Sequence, residues 1–129
     1  MQRVRIAVVG GRNIEDFSFV LEKFEEVLFK EGLCKHQVSI VSGGARGVDS
    51  IAKRIAIYYG IPFQEFRAKW EKYGKRAGPI RNRKIVENSD IVIAIPSPDS
   101  KGTWDTVKKA EKKGLRVYVF EYGGGCEKG

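Results

Sequence analysis

Histidine and cysteine are nearly missing from this chain of 129 residues: His36 stands alone, and Cys34 and Cys126 lie far apart with no CxxC pair. Each shortage excludes a class of chemistry. A disulfide framework has no basis, and a reduced, cytoplasmic setting is expected instead. A zinc site would have too few soft ligands, so no metal is expected. A Ser-His-Asp triad would rest on His36, which falls in a polar stretch before a strand and reads as a surface histidine. No apolar run approaches the roughly 18 residues of a membrane span, so no membrane partner is expected. The start, from Met1 to Gly11, lacks the apolar core and cleavage site of a signal peptide.

Two nucleotide fingerprints are missing as well. No GxxxxGK followed by Ser or Thr occurs, which argues against a P-loop NTPase. The loop after the first apolar run reads GGRNIE rather than GxGxxG, and the second run ends in Ser42 rather than the acid that holds a ribose in dinucleotide enzymes. Redox chemistry with NAD is therefore disfavoured, and no cofactor is identified.

What is present is the balance of one globular domain, with 42% hydrophobic and 31% charged residues. The formal charge is +8 and the sequence pI about 9.6. The excess points to an anionic partner. It is concentrated: +7 of it falls between Arg67 and Lys84, where eight basic residues meet one acid, Glu71.

Short β-branched runs alternate with amphipathic segments. The runs Val4–Val9, Val38–Val41, Ile61–Phe66, Ile91–Ile95 and Arg116–Phe120 read as strands, the third as an edge strand because of Pro62. Asn13, with Asp16 three residues on, predicts the start of a first helix that Gly32 stops. Val48, Ile51, Ile55 and Tyr59 define one face of a second helix, closed by Gly60. Residues 67–78 read as a basic loop, with Pro79 in the first turn of a helix reaching Asn88. The last helix is expected from Thr103 to about Lys113. The pattern predicts a single-domain α/β protein over residues 1–122, a Rossmann-like doubly wound parallel sheet of about five strands with helices on both faces. Residues 123–129 are expected as a flexible Gly-rich tail.

Three strand-to-helix loops share one sheet edge in this fold: Gly10-Gly11-Arg12-Asn13, Ser42-Gly43-Gly44-Ala45-Arg46-Gly47, and Pro96 to Thr103. Glycines there let backbone N–H groups approach an anion, helix N-termini favour negative charge, and Arg12, Arg46 and Lys101 add cations. A small phosphorylated ligand is the expected partner. Tight connections alone would also call for glycines.

The strings VSGGARGVDSIAKRIAIYYG, FRAKWEKYGKRAGPIRNRKIVENSDIVIAIP and SKGTWDTVKKAEKKG resemble the SLOG superfamily, which groups DNA-processing protein A, the LOG phosphoribohydrolases and small stand-alone proteins related to YspA and YpsA. The YspA-like branch is the most similar, through GGARGVD, the spacing of Trp70 and Gly74, Ala77-Gly78-Pro79 with Arg81-Asn82, and Gly102-Thr103. The resemblance spans about residues 4–120 and implies a Rossmann-like fold that binds or processes nucleotides or their derivatives. It places the ligand against Gly10, Gly11 and Arg12, against Ser42 and Gly43 to Gly47 with Asp49, and against Arg81 and Asn82. Pro96, Gly102 and Thr103 complete the expected phosphate cradle. Asp49 is read either as an acceptor for a ribose hydroxyl or as favourable first-turn charge. Trp70 is read either as a stacking or lid residue or as an aromatic covering the core. Lys75 and Arg76 join it as lid candidates. The resemblance also implies a homodimer or larger homo-oligomer.

One departure separates this chain from the hydrolases. LOG enzymes carry PGGxGTxxE, whose glutamate contributes to cleaving the N-glycosidic bond of a nucleoside monophosphate. Here that position is Thr106, which offers no carboxylate. Asp105 is about 100° around the helix from it, and with Asp49 it is the remaining catalytic candidate. The sequence therefore favours binding or sensing of a nucleotide or nucleotide derivative. The alternatives are a phosphoribohydrolase and a single-stranded nucleic-acid binder of the DNA-processing kind, the latter drawing on Trp70 and Tyr73 in the basic segment.

Overall fold

A computed structural model describes residues 2–122; the expected tail at 123–129 lies outside the described residues. Strands β1 (Val4–Gly10), β2 (Val38–Gly43), β3 (Phe63–Phe66), β4 (Ile91–Ile95) and β5 (Arg116–Val119) form one parallel sheet in the order β3-β2-β1-β4-β5. Between them run α1 (Phe17–Glu31), α2 (Val48–Tyr59), the short α3 (Trp70–Tyr73), α4 (Ala77–Glu87) and α5 (Lys101–Lys113). The chain steps outward from β1 to β3, returns past β1 to β4 and ends at β5. The winding direction reverses between β1 and β4, where open α/β sheets hold their ligands.

Two apolar layers explain why these runs become strands. Successive residues of a strand point to opposite faces. Ile6 and Val8 of β1, with Ile91, Ile93 and Ile95 of β4, therefore meet Val20, Phe24, Ile51 and Ile55 of α1 and α2. Ala7, Val9, Val92 and Ala94 meet Ile85 and Val86 of α4 and Val107 and Ala110 of α5. β4 is buried along its whole length, which accounts for its near-continuous apolar sequence. In register, Gly10 lies opposite Ile95, so the loops leaving β1 and β4 emerge side by side. At the far end Arg5 pins the start of β4: its backbone N–H and its guanidinium both donate to the Asp90 carboxylate, at 2.9 and 3.1–3.2 Å. Those bonds hold the Asp90 carboxyl below the usual carboxylate range.

Several element boundaries differ from the sequence expectation, each for a local reason. Asn13 does not cap α1. Asp16 does, its carboxylate accepting the Phe19 N–H at 3.0 Å, a charge-assisted cap. Ile14 is buried in the loop instead. Ile61 does not open β3. It completes the C-terminus of α2, where Gly60 has φ 68° and the Ile61 N–H donates to Ala56. β3 is an edge strand, in the position Pro62 implies. The basic segment is no plain loop: it contains α3 and a 3-10 turn at Gly74–Arg76, and α4 begins at Ala77, two residues before Pro79. α5 starts at Lys101 rather than Thr103, so Gly102 and Thr103 lie within its first turn.

The layered core makes a direct stability prediction. Phe24 is 0% exposed and Phe29, one turn and a residue further on, is 87% exposed. Phe24→Ala should cost about 3–5 kcal/mol in urea unfolding, whereas Phe29→Ala should stay within about 0.5 kcal/mol of the parent. Equal losses would contradict the assignment of the α1 faces.

Candidate functional site

The loops after β1 and β4 and the first turn of α5 enclose a cleft of about 310 Å³ at the reversal point of the sheet. Gly10, Gly11, Arg12 and Asn13 form one wall; Ser97, residues 99–103 and Thr106 form another; Ala45, Asp49, Arg81, Asn82 and Ile85 close it. Glycine is needed where these walls meet: a Cβ on Gly10 would fall 2.3 Å from the Ile95 carbonyl oxygen, and one on Gly11 would fall 2.5 Å from Ser97 Oγ.

Two of the helices that start at this edge, α2 and α5, differ in how their N-termini are engaged. At α2 no side chain caps the helix, but its first donor and the loop before it are engaged by the chain itself. The Val48 N–H donates to the Gly11 carbonyl at 3.1 Å, and Asp49, in the first turn, accepts the Ala45 N–H at 3.3 Å. At α5 the cap residue Ser100 turns away. Its Oγ accepts the Ser97 N–H and hydrogen-bonds Ser97 Oγ, both at 2.8 Å, and makes no cap bond to the helix. The first-turn N–H groups of Gly102 and Thr103 therefore have no side-chain cap, and both residues line the cleft beside Lys101. An uncapped N-terminus of a 13-residue helix presents partial positive charge and free donors.

Electrostatics sharpen this. Arg12, Arg81 and Lys101 line the cleft against two carboxylates, Asp49 and Asp99. Burial pushes the Asp49 carboxyl up to about 6, although Arg81 and the Ala45 N–H act in the opposite direction. Burial also lowers Arg81 from its ordinary value, with Arg12 adding to the lowering and Asp49 opposing it. Gly43 lies under this pair: a Cβ there would come 2.4 Å from Arg81 Nη1 and 2.7 Å from Asp49 Oδ2.

The remaining expected residues fall into three groups. Gly44, Ala45 and Arg46 line a neighbouring cleft with Arg67 and Trp70. Gly47 and Ser42 serve packing. Gly47 has φ 76°, and a Cβ on it would fall 2.1 Å from the Gly11 carbonyl oxygen; Ser42 is fully buried and donates to the Val8 carbonyl. Pro96, Lys75, Arg76 and Asp105 line neither cleft. Pro96 is buried and its carbonyl accepts the Tyr122 N–H, while Lys75 and Arg76 are exposed in the 3-10 turn. Asp105 accepts from Asn82 Nδ2 at 3.0 Å and from Lys109 Nζ at 2.6 Å. Burial raises its pKa, but these donors outweigh it and hold the carboxyl below the usual range. It is a poor proton donor, facing α4 rather than the cleft. The hydroxyl of Thr106 lies back on the Gly102 carbonyl at 3.2 Å.

Asn82 emerges as the link between α4 and α5, donating to the Gly102 carbonyl as well as to Asp105. Sequence reasoning missed Ser97, Asp99 and Ser100 as wall residues. A serine directly before a helix was the available signal for Ser100. Among the described residues no three His, Cys, Asp or Glu side chains gather in a metal-binding group, and no helix is long and apolar enough to cross a membrane.

Sheet order, parallel strands and a cleft at the reversal point define a Rossmann-like α/β protein. A solved structure, TM1055, a structural-genomics target, shares this fold with a TM-score of 0.59 at 19% identity, over 91% of this chain and 72% of that one. Within that class, the chain belongs to the YspA, cpYpsA-related SLOG family, whose sequence profile matches residues 4–73. The Gene 61 protein of Mycobacterium phage D29 is 33% identical over 124 residues, covering 90% of this chain and 95% of the phage protein.

Two outcomes follow from this geometry. Gly47→Ala should destabilise the protein by more than about 1 kcal/mol in thermal or urea unfolding, because both its φ and its contact with Gly11 exclude a side chain. A neutral effect would mean the loop contact is not tight. Separately, sulfate keeps one charge state across neutral pH, so its affinity reports Asp49. Below about pH 6 the carboxyl is neutral and releases Arg81, so sulfate should bind more tightly at about pH 5 than at about pH 8. Asp49→Asn should flatten that profile; an unchanged slope would place the titration elsewhere.

Proposed function

We propose that the chain binds a nucleotide or nucleotide derivative, with a phosphoryl group at the N-terminus of α5. The observation that carries this reading is the uncapped first turn of α5, which opens into a cleft shared with Arg12, Arg81 and Lys101. Free N–H groups at a helix start, together with guanidinium and ammonium groups, make a phosphate site whose donors are already in place. The cleft also has an apolar part at Val9 and Ile85 for the uncharged body of the ligand. Family membership supports the same reading, since the SLOG resemblance implies nucleotide ligands.

Binding is favoured over N-glycosidic hydrolysis because the carboxylate that a LOG-type reaction needs is Thr106 here, and Asp105 is tied to Asn82 and Lys109. Asp49 is the one buried carboxyl of the cleft near neutrality and carries the enzymatic alternative. Nucleoside monophosphates at millimolar concentration should raise the melting temperature of the protein. Lys101→Glu should weaken binding by about ten-fold by calorimetry, through loss of one charge-assisted contact. Absence of stabilisation by any nucleotide would defeat the reading. Release of free base, abolished in Asp49→Asn, would replace it with the hydrolase.

A further inference from the structure

Next to the principal cleft lies a second one of about 320 Å³, lined by Arg12, Arg46, Arg67, Arg81 and Trp70 with the backbone around Ala45. The two share Arg12, Ala45 and Arg81 as a common wall. Four guanidiniums in one small concavity repel one another unless an anion is present. Compensation by carboxylates is slight. Glu65 pairs with Arg67 at 2.5 Å, and Asp49 faces Arg81 from the other side of the wall. Among the described residues Arg12 and Arg46 make no ion pair. Trp70 is 51% exposed, and its ring edge lies over Gly78, where a Cβ would sit 3.5 Å away. Its free surface is a stacking platform.

Resting on the phosphate reading of the first cleft, we propose that the second cleft is a subsite for another phosphoryl group of the same ligand. The ligand class is then a nucleotide with two phosphoryl groups at separate positions on its ribose. Lys101, Gly102 and Thr103 line only the first cleft; Arg46, Arg67 and Trp70 line only the second. In this reading a linear diphosphate seated at α5 is held by the shared wall of Arg12 and Arg81, and the residues found only in the second cleft are engaged by an anionic group set apart by the nucleoside. A polymer fits less well, because Lys75 and Arg76, which would continue a cationic track, line neither cleft.

The test compares three adenosine ligands on the intact protein: AMP, ADP, and adenosine bisphosphate with its phosphates on different ribose hydroxyls. Trp104→Phe leaves Trp70 as the single tryptophan, so quenching of its fluorescence reads the second cleft directly. The bisphosphate should bind about ten-fold tighter than both AMP and ADP and should quench Trp70. Arg46→Ala, at an exposed position where folding is not at risk, should remove that gain and leave AMP binding as it was. Equal affinity for ADP and bisphosphate, or an equal loss of AMP and bisphosphate binding in Arg46→Ala, overturns the proposal. Tighter binding of a thymidine oligonucleotide than of the bisphosphate also overturns it, in favour of single-stranded nucleic acid. If AMP itself fails to bind, the phosphate reading of the first cleft falls; if AMP binds and the bisphosphate gains nothing, only the second subsite falls.

Discussion

The hydrogen bond from the Val48 N–H to the Gly11 carbonyl, with Gly47 pressed beneath it, is the constraint on which the site geometry depends. It joins the loop after β1 to the start of α2 and so fixes two walls with one contact. It also consumes a donor that the start of α2 would otherwise offer to a ligand. The chain thus pairs the first donor of α2 internally. At α5 the cap residue is diverted to Ser97 instead, which is why the proposed phosphate site is set there. Two glycine-rich loops thus pack against each other, and the loop after β1 still forms one wall of the cleft opposite the start of α5.

Burial supplies the second organising effect. Asp49 and Arg81 lie close enough to moderate each other's charge, yet desolvation is the largest influence on both. The pair leaves the cleft with a carboxyl that is readily neutralised and a guanidinium that is readily recruited. The positive character of the two clefts arises from a few placed arginines. Much of the +7 between Arg67 and Lys84 is exposed on the short helical turns beyond them.

The sheet was legible from the sequence because β1, β2, β4 and β5 carry β-branched residues in short runs linked by segments of helical spacing. β3, Phe-Gln-Glu-Phe, was found through the turn and Pro62 before it. The α1 cap was misread because Asn13 and Asp16 carry the same local signal, and only the burial of Ile14 decides between them. Gly102 and Thr103 were expected at the site through their place after the most apolar strand, and they line the cleft. Whether Gly43 and Gly47 faced a ligand or a neighbouring loop was not legible. Sequence records the absence of a Cβ but not what would collide with one. The same limit applies to Asp105, whose orientation depends on Asn82, 23 positions away. No periodicity within either helix encodes that contact.

The placement of Asp105 and Thr106 bears on what a cleft of this kind can do. Successive helical residues point about 100° apart, so α5 can aim only one of them into the cleft, and it aims Thr106. The carboxylate next to it goes into joining α4 to α5 through Asn82 and Lys109. That join helps hold the first turn of α5 in position, because Asn82 also binds the Gly102 carbonyl. The carboxylate thus braces the first turn of α5 from the α4 side. In the proposed role, such an uncapped helix start flanked by arginines would attract and retain a phosphorylated ligand. With Asp49 on the opposite wall, the arrangement supports the proposal of recognition over hydrolysis.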